Sequence, residues 1–144
     1  MPAQNYTTHR KYVPMYHMVL FGLLVLTLIG SLVNLYGSLG DHQRLYSASL
    51  IVVLTVCALL LFFFCRIFAL KAQDRAIRAE ENLRHFVLTG KLLDPRLTVR
   101  QIIGLRFAPD AEFVALAARA AAENLSEDVI KRAIQQWKPD LYRV

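Results

Sequence analysis

Two long stretches without any charged side chain limit what this chain can fold into. No Asp, Glu, Lys or Arg occurs between Lys11 and Asp41, and none occurs between Arg44 and Arg66. A helix of about 20 residues, rising 1.5 Å per residue, crosses the roughly 30 Å hydrocarbon core of a bilayer. The sequence therefore predicts two transmembrane helices joined by a short loop.

The rest of the chain is organised around these two spans. A cleaved signal peptide has an apolar region of about 7–15 residues, which is shorter than the first stretch, so we interpret that stretch as a span. Roughly 75 residues follow the second span, enough for one small helical domain. The predicted all-α fold has these segments: an extended N-terminal arm 1–12, transmembrane helix 13–36, outer loop 37–46, transmembrane helix 47–69, juxtamembrane helical extension 70–90 and small cytoplasmic helical domain 91–144.

Basic residues predict the orientation of the two spans, because segments rich in Lys and Arg stay on the cytoplasmic side. The connecting loop has Arg44, which Asp41 offsets. From Arg66 to Arg106 there are nine Lys or Arg and four acidic residues. We therefore expect the loop outside and both termini in the cytoplasm.

A basic stripe follows the second span. Lys71, Arg75 and Arg78 are spaced i, i+4, i+7 and so share one helical face. With Arg10 and Lys11 in the arm, they are candidates for binding anionic lipid headgroups. Nucleic acid is the rival partner, but the basic residues lack interleaved aromatics and a known binding module, so we predict none.

Small and polar residues on the first span predict a helix-docking face. Thr27, Gly30, Ser31 and Asn34 recur at helical spacing. Such faces let helix backbones approach closely in lipid and form interhelical hydrogen bonds. Part of this face should meet the second span. Asn34 is the strongest indication, although hydration near the membrane interface is an equal alternative for its amide.

Capping signals divide the C-terminal domain into short helices. Gly90 is predicted to end the long second helix. Thr98 begins a capping box, Pro109 precedes two acidic residues, and Ser126 precedes two more. These signals predict three helices, and the apolar stripe of the last one continues through Trp137. We interpret the stripes as a hydrophobic core.

Chemistry-bearing motifs are absent from the sequence, so no enzymatic activity is predicted. The four histidines are dispersed, without metal-ligand spacing. Cys57 and Cys65 lie about 12 Å apart along a helix, beyond the reach of a disulfide. Adjacent Glu80 and Glu81 are interpreted as part of a solvated face.

His17 is the one candidate cofactor ligand. It begins the first span, where an imidazole nitrogen can ligate a haem iron or a chlorophyll magnesium. The alternative is an interfacial side chain bonded to a headgroup, water or a neighbouring residue. No other cofactor and no metal site is predicted.

Several strings in this chain form a distinctive set: Gln4-Asn5-Tyr6, His9 with 10–14 and His17, 69–75, 105–108, 134–140 and Arg143-Val144. Together they resemble a family of uncharacterised small bacterial proteins with two transmembrane helices. The resemblance covers nearly the whole chain and implies this topology in a bacterial inner membrane, but no activity and no functional residue.

Three function classes are compatible with such a chain. The leading hypothesis is a non-enzymatic accessory subunit of a larger membrane complex, with an energy-transducing complex, respiratory or photosynthetic, as candidate host. The alternative is a membrane-tethered adaptor or regulator that recruits a soluble protein through its helical domain. A self-assembling channel is disfavoured, because the middle of the second span offers only Thr55 and Cys57 as polar residues.

Overall fold

The all-α prediction is confirmed in a computed structural model, which describes Tyr6 and residues 12–139. Within these residues there is no strand, and the chain divides into two units. We call residues 12–68 the hairpin unit, and Tyr6 with residues 69–139 the helical unit. The elements are a π-helical segment Met15–Leu20, α1 Phe21–Gly37, α2 His42–Thr89, α3 Val99–Leu105, α4 Asp110–Glu123 and α5 Glu127–Ala133.

Two of these helices are candidate membrane spans. The continuous helix Met15–Gly37 and helix α2 are long and apolar enough to cross a bilayer. Only 6% and 11% of their most apolar windows are buried by the chain itself. A core helix of a soluble protein would have most of its apolar surface covered, so this exposure favours a lipid environment.

The π-helical segment at the start of the first candidate span packs against α2. Pro14 precedes the π-helical segment, where its missing N–H costs little. The Tyr16 hydroxyl donates a hydrogen bond to the carbonyl of Phe62. The two rings stack with their centroids 4.4 Å apart. Aromatic stacking and a hydrogen bond therefore hold this end of the hairpin together.

Asp41 starts α2. Its Oδ1 accepts hydrogen bonds from the N–H groups of Gln43 at 3.1 Å and Arg44 at 3.3 Å, which satisfies two free donors of the first turn. Helix α2 consequently begins at His42, inside the stretch 37–46 predicted as a loop.

The helical unit is built around a buried apolar core. Phe107, Phe113 and Leu105 are 0% exposed. Helix α2 contributes Ile77 to the same core, so its C-terminal part is packed into this unit. The other buried members are Leu93, Leu97, Ile102, Ala108, Leu116, Ala117, Ala120, Ile130 and Ile134.

The predicted caps of this unit are confirmed. Gly90 follows α2 with φ +73°, and its N–H donates to the carbonyl of Phe86 at 2.7 Å. This left-handed conformation suits glycine and ends the helix. Thr98 and Gln101 form both halves of the capping box. The Ser126 hydroxyl accepts a bond from the first turn of α5.

The prediction that the last helix continues through Trp137 is wrong, since α5 ends at Ala133. The carboxylate of Glu112 on α4 accepts hydrogen bonds from the N–H groups of Gln135 at 3.0 Å and Gln136 at 3.1 Å. These hydrogen bonds to a carboxylate replace the backbone hydrogen bonds of a continued helix. Hydrogen bonds to a charged acceptor are stronger than those between neutral groups. The chain therefore leaves the helix and crosses to α4.

Helices α3 and α5 approach closely at Gly104. A Cβ there would lie 3.2 Å from the carbonyl oxygen of Glu127 and 3.3 Å from the side chain of Ile130. Alanine is favoured over glycine by about 1 kcal/mol inside a helix, yet here its methyl group would press on backbone. The close packing explains a glycine within a short helix.

Candidate functional site

Small residues form the contact between α1 and α2 in the hairpin unit. Ser31 on α1, Ser38 directly after α1, and Ala48 and Thr55 on α2 are at most 5% exposed. Each pair is seven residues apart, the repeat of helices that pack side by side. The three hydroxyls donate to carbonyls three or four residues before them at 2.8 Å. The polar groups at this contact are therefore satisfied locally.

This contact uses one of the four residues of the predicted docking face. Ser31 is buried, whereas Thr27, Gly30 and Asn34 are exposed. A Cβ on Gly30 would meet no atom within 4 Å. The Thr27 hydroxyl donates to the carbonyl of Leu23 at 2.8 Å. The three exposed residues form a ridge beside the hairpin contact, which we call the α1 ridge.

His17 lies half-buried among aromatic rings. Its Nδ1 is 2.9 Å from the carbonyl oxygen of Val13, and its ring stacks on Tyr12 at 4.5 Å. When Nδ1 carries the proton and donates to this carbonyl, Nε2 keeps its lone pair. Ligation by Nε2 stays a prediction.

The basic stripe on α2 is exposed. Lys71, Arg75 and Arg78 are all accessible, while Arg10 and Lys11 lie outside the described residues. Three other exposed arginines of the helical unit are paired with acids: Arg96 with Asp94, Arg100 with Glu127 and Arg119 with Glu123.

Replacing Lys71, Arg75 and Arg78 with Gln is expected to weaken binding of a fragment of residues 69–144 to anionic vesicles roughly 100-fold, since each basic residue contributes about 1 kcal/mol. Co-sedimentation measures the binding. The control replaces the acid-paired Arg96, Arg100 and Arg119 with Gln and makes the same charge change. Equal binding losses in both triple variants would contradict a lipid-specific stripe.

A charged cluster, buried at Glu81 and Arg84 but exposed at Asp110, joins α2 to α4. Arg84 lies 3.1 Å from Glu81 and 2.6 Å from Asp110, and it donates to the carbonyl of Ala108 at 2.7 Å. Its guanidinium carbon is 4.3 Å from the ring centroid of Phe113. All these partners belong to the protein, so the cluster ties helices together.

The interpretation of Glu81 as a solvated residue is wrong. Its side chain is 9% exposed, whereas Glu80 is exposed. Burial raises the pKa of Glu81, and its desolvation outweighs the lowering by Arg84. Its position four residues after Ile77, on the same helical face, was the sequence signal for burial.

A groove of about 420 Å³ lies beside α4 in the helical unit. Its rim carries His85, whose Nδ1 is 2.7 Å from the carbonyl oxygen of Lys91. Apolar side chains dominate its walls, so it suits a short apolar segment. The wall residues include Leu92, Leu93, Leu97, Val114, Ala117 and Ala118.

Within Tyr6 and residues 12–139, no group of three or more His, Cys, Asp or Glu side chains could hold a metal ion.

Neither curated proteins nor solved structures gave a match to this chain. The model of one family matches residues 1–144, which confirms the resemblance to an uncharacterised family. The chain therefore belongs to DUF6526, a family of unknown function.

Proposed function

We propose that this chain is a non-enzymatic accessory subunit of a larger membrane protein complex. The hairpin unit anchors it in a bacterial inner membrane, with both termini and the helical unit in the cytoplasm. The observation that carries the proposal is the α1 ridge: Thr27, Gly30 and Asn34 are exposed although the hairpin already has its own contact.

The way helices associate in a bilayer explains why this ridge suits a transmembrane helix of another protein. Lipid tails are as apolar as leucine, so helices associate through close packing and polar contacts. Gly30 and Gly37 are seven residues apart, and a Cβ on either would meet nothing within 4 Å. A neighbouring helix can therefore approach the α1 backbone over two turns and reach the Asn34 amide.

The host complex is proposed to be energy-transducing, either respiratory or photosynthetic. There Nε2 of His17 would face a pigment or haem in the tautomer in which Nδ1 donates to the carbonyl of Val13. The mechanism is structural: the hairpin unit fills a groove at the edge of the host.

Replacing Gly30 with Leu tests the ridge, because the added side chain would hold a partner helix away. We expect roughly tenfold less partner to co-purify in mild detergent, since the interhelical hydrogen bonds that this separation breaks are worth about 1–2 kcal/mol. The control is Leu32→Phe, which adds bulk to a residue 49% exposed on the opposite face of α1. Unchanged co-purification in Gly30→Leu would contradict the docking face.

The groove beside α4 favours one second candidate, a membrane-tethered adaptor that binds a soluble protein. Ala118 lines the groove and is exposed, so Ala118→Arg would fill the groove without burying a charge. Ala115→Arg, at an exposed position of α4 outside the groove, is the control. An adaptor would bind its soluble partner roughly tenfold more weakly with Ala118→Arg alone, a loss of about 1.4 kcal/mol. Equal retention by both variants would contradict this candidate.

A further inference from the structure

Helix α2 carries a second apolar stripe on the face opposite the helical-unit core. The core-facing side presents Ile77, Glu81 and Arg84. The opposite side carries small and large apolar residues spaced four, three, four and three apart. We call these residues the α2 stripe: Ala72, Ala76, Ala79, Leu83 and Phe86.

The chain leaves this stripe uncovered. Leu83 is 64% exposed and Phe86 is 51% exposed, and the adjoining Val87 is 75% exposed. The three alanines are exposed as well. Contiguous exposed apolar side chains of this size mark an interaction surface.

The spacing assigns a coiled-coil register. Ala76 and Leu83 occupy a positions, and Ala72, Ala79 and Phe86 occupy d positions of a heptad. This register places Arg75 at g and Glu80 at the following e position. In a parallel pair of helices, a g residue meets the e residue five positions later on the other helix.

Charge complementarity identifies the occupant. Arg75 and Glu80 are exposed, and neither forms an ion pair within Tyr6 and residues 12–139. In a parallel pair of identical helices Arg75 of each copy meets Glu80 of the other, so two ion pairs form. An antiparallel pair would bring g to g and e to e, so Arg75 would not meet Glu80 and no such ion pair would form.

We propose that the α2 stripe forms a parallel two-stranded coiled coil with the α2 stripe of a second copy of this chain. Alanines at three of the five core positions allow close approach, and Leu83 and Phe86 supply most of the buried area. Arg75 is then engaged between copies, whereas Lys71 and Arg78 stay on the outer side for lipid.

Anchoring in one membrane makes so short a coiled coil workable. The stripe spans about two heptads, or roughly 22 Å, which is marginal for free helices. Two copies inserted with the same topology present α2 in the same direction, and confinement raises their effective concentration. If the two copies are related by a two-fold axis along the membrane normal, each copy contributes the same surface to the contact.

Disulfide trapping tests the register on the full chain in membranes. Cys57 and Cys65 are first replaced with Ala, and Leu83→Cys is introduced at an a position. Because facing a positions lie within disulfide reach in a parallel coil, mild oxidation should convert most of the chain to a covalent dimer. Arg78→Cys, exposed on the same helix outside the stripe, is the matched control. No dimer with Leu83→Cys, or equal dimer with both cysteines, would overturn the proposal.

Charge reversal tests the pairing independently. Arg75→Glu and Glu80→Lys should each lower the dimer fraction in mild detergent roughly fivefold, and the double variant should restore it. Light scattering gives the mass, and Trp137 fluorescence verifies that each variant is folded. A double variant as monomeric as the single variants, with normal Trp137 emission, would also overturn the proposal.

Discussion

Replacing Arg84 with Ala is expected to lower the free energy of unfolding of the helical unit by about 3–5 kcal/mol, because Glu81 is left buried without its partner. Arg84 is 12% exposed and Glu81 is 9% exposed, so water screens neither group well. Urea unfolding of the full chain in detergent measures the loss. Trp137, the single tryptophan, reports on it from its contact with Phe107 at 4.8 Å.

The matched control removes both charges. Arg84→Met with Glu81→Leu keeps the volume and leaves no buried ion, so it should lose far less stability than Arg84→Ala alone. Arg96→Ala, at an exposed pair with Asp94, should cause little change. A double variant as unstable as Arg84→Ala would contradict the buried-charge explanation.

The loss caused by Arg84→Ala should depend on pH. Burial raises the pKa of Glu81 above 4.5, and removing Arg84 takes away the group that lowers it. The folded state then holds the Glu81 proton more tightly than the unfolded state does. This contribution to stability is full below about pH 4.5 and is lost as pH rises through the raised pKa. The loss should therefore be smaller near pH 4.5 than at pH 7, and an equal loss at both would contradict the assignment.

Replacing Phe107 with Ala should lower the free energy of unfolding by about 3–5 kcal/mol, since the ring is 0% exposed and its removal leaves a cavity. Phe107→Leu keeps most of the volume and should cost less than about 1.5 kcal/mol. Trp137 emission of the folded Ala variant should shift to longer wavelength as the indole loses its neighbouring ring. Similar losses of unfolding free energy in Phe107→Ala and Phe107→Leu would contradict a tightly packed core.

Local signals explain which parts of the fold could be predicted. The candidate spans follow from the lack of charge, and the caps at Gly90, Thr98 and Ser126 depend on residues within one turn. The end of α5 could not be predicted in this way. Its end depends on Glu112, which is more than 20 residues away and takes the N–H groups of Gln135 and Gln136.

The same limit applies to the candidate surfaces. Helical spacing identified Thr27, Gly30, Ser31 and Asn34 as one face, but only the packed hairpin shows that Ser31 is buried and the others are exposed. Neighbouring Glu80 and Glu81 look alike in sequence. They differ because Glu81 shares the face of α2 that carries the core residue Ile77, whereas Glu80 lies on an exposed face.

The most direct test of the proposed function is the mass of the native particle. The chain would be extracted in mild detergent from the membranes that naturally contain it, separated on a native gel, and its companions identified by mass spectrometry. Our account predicts stoichiometric migration with a large membrane complex, whose identity would then define the function. Migration of the chain alone, as monomer or dimer, would contradict the accessory-subunit proposal.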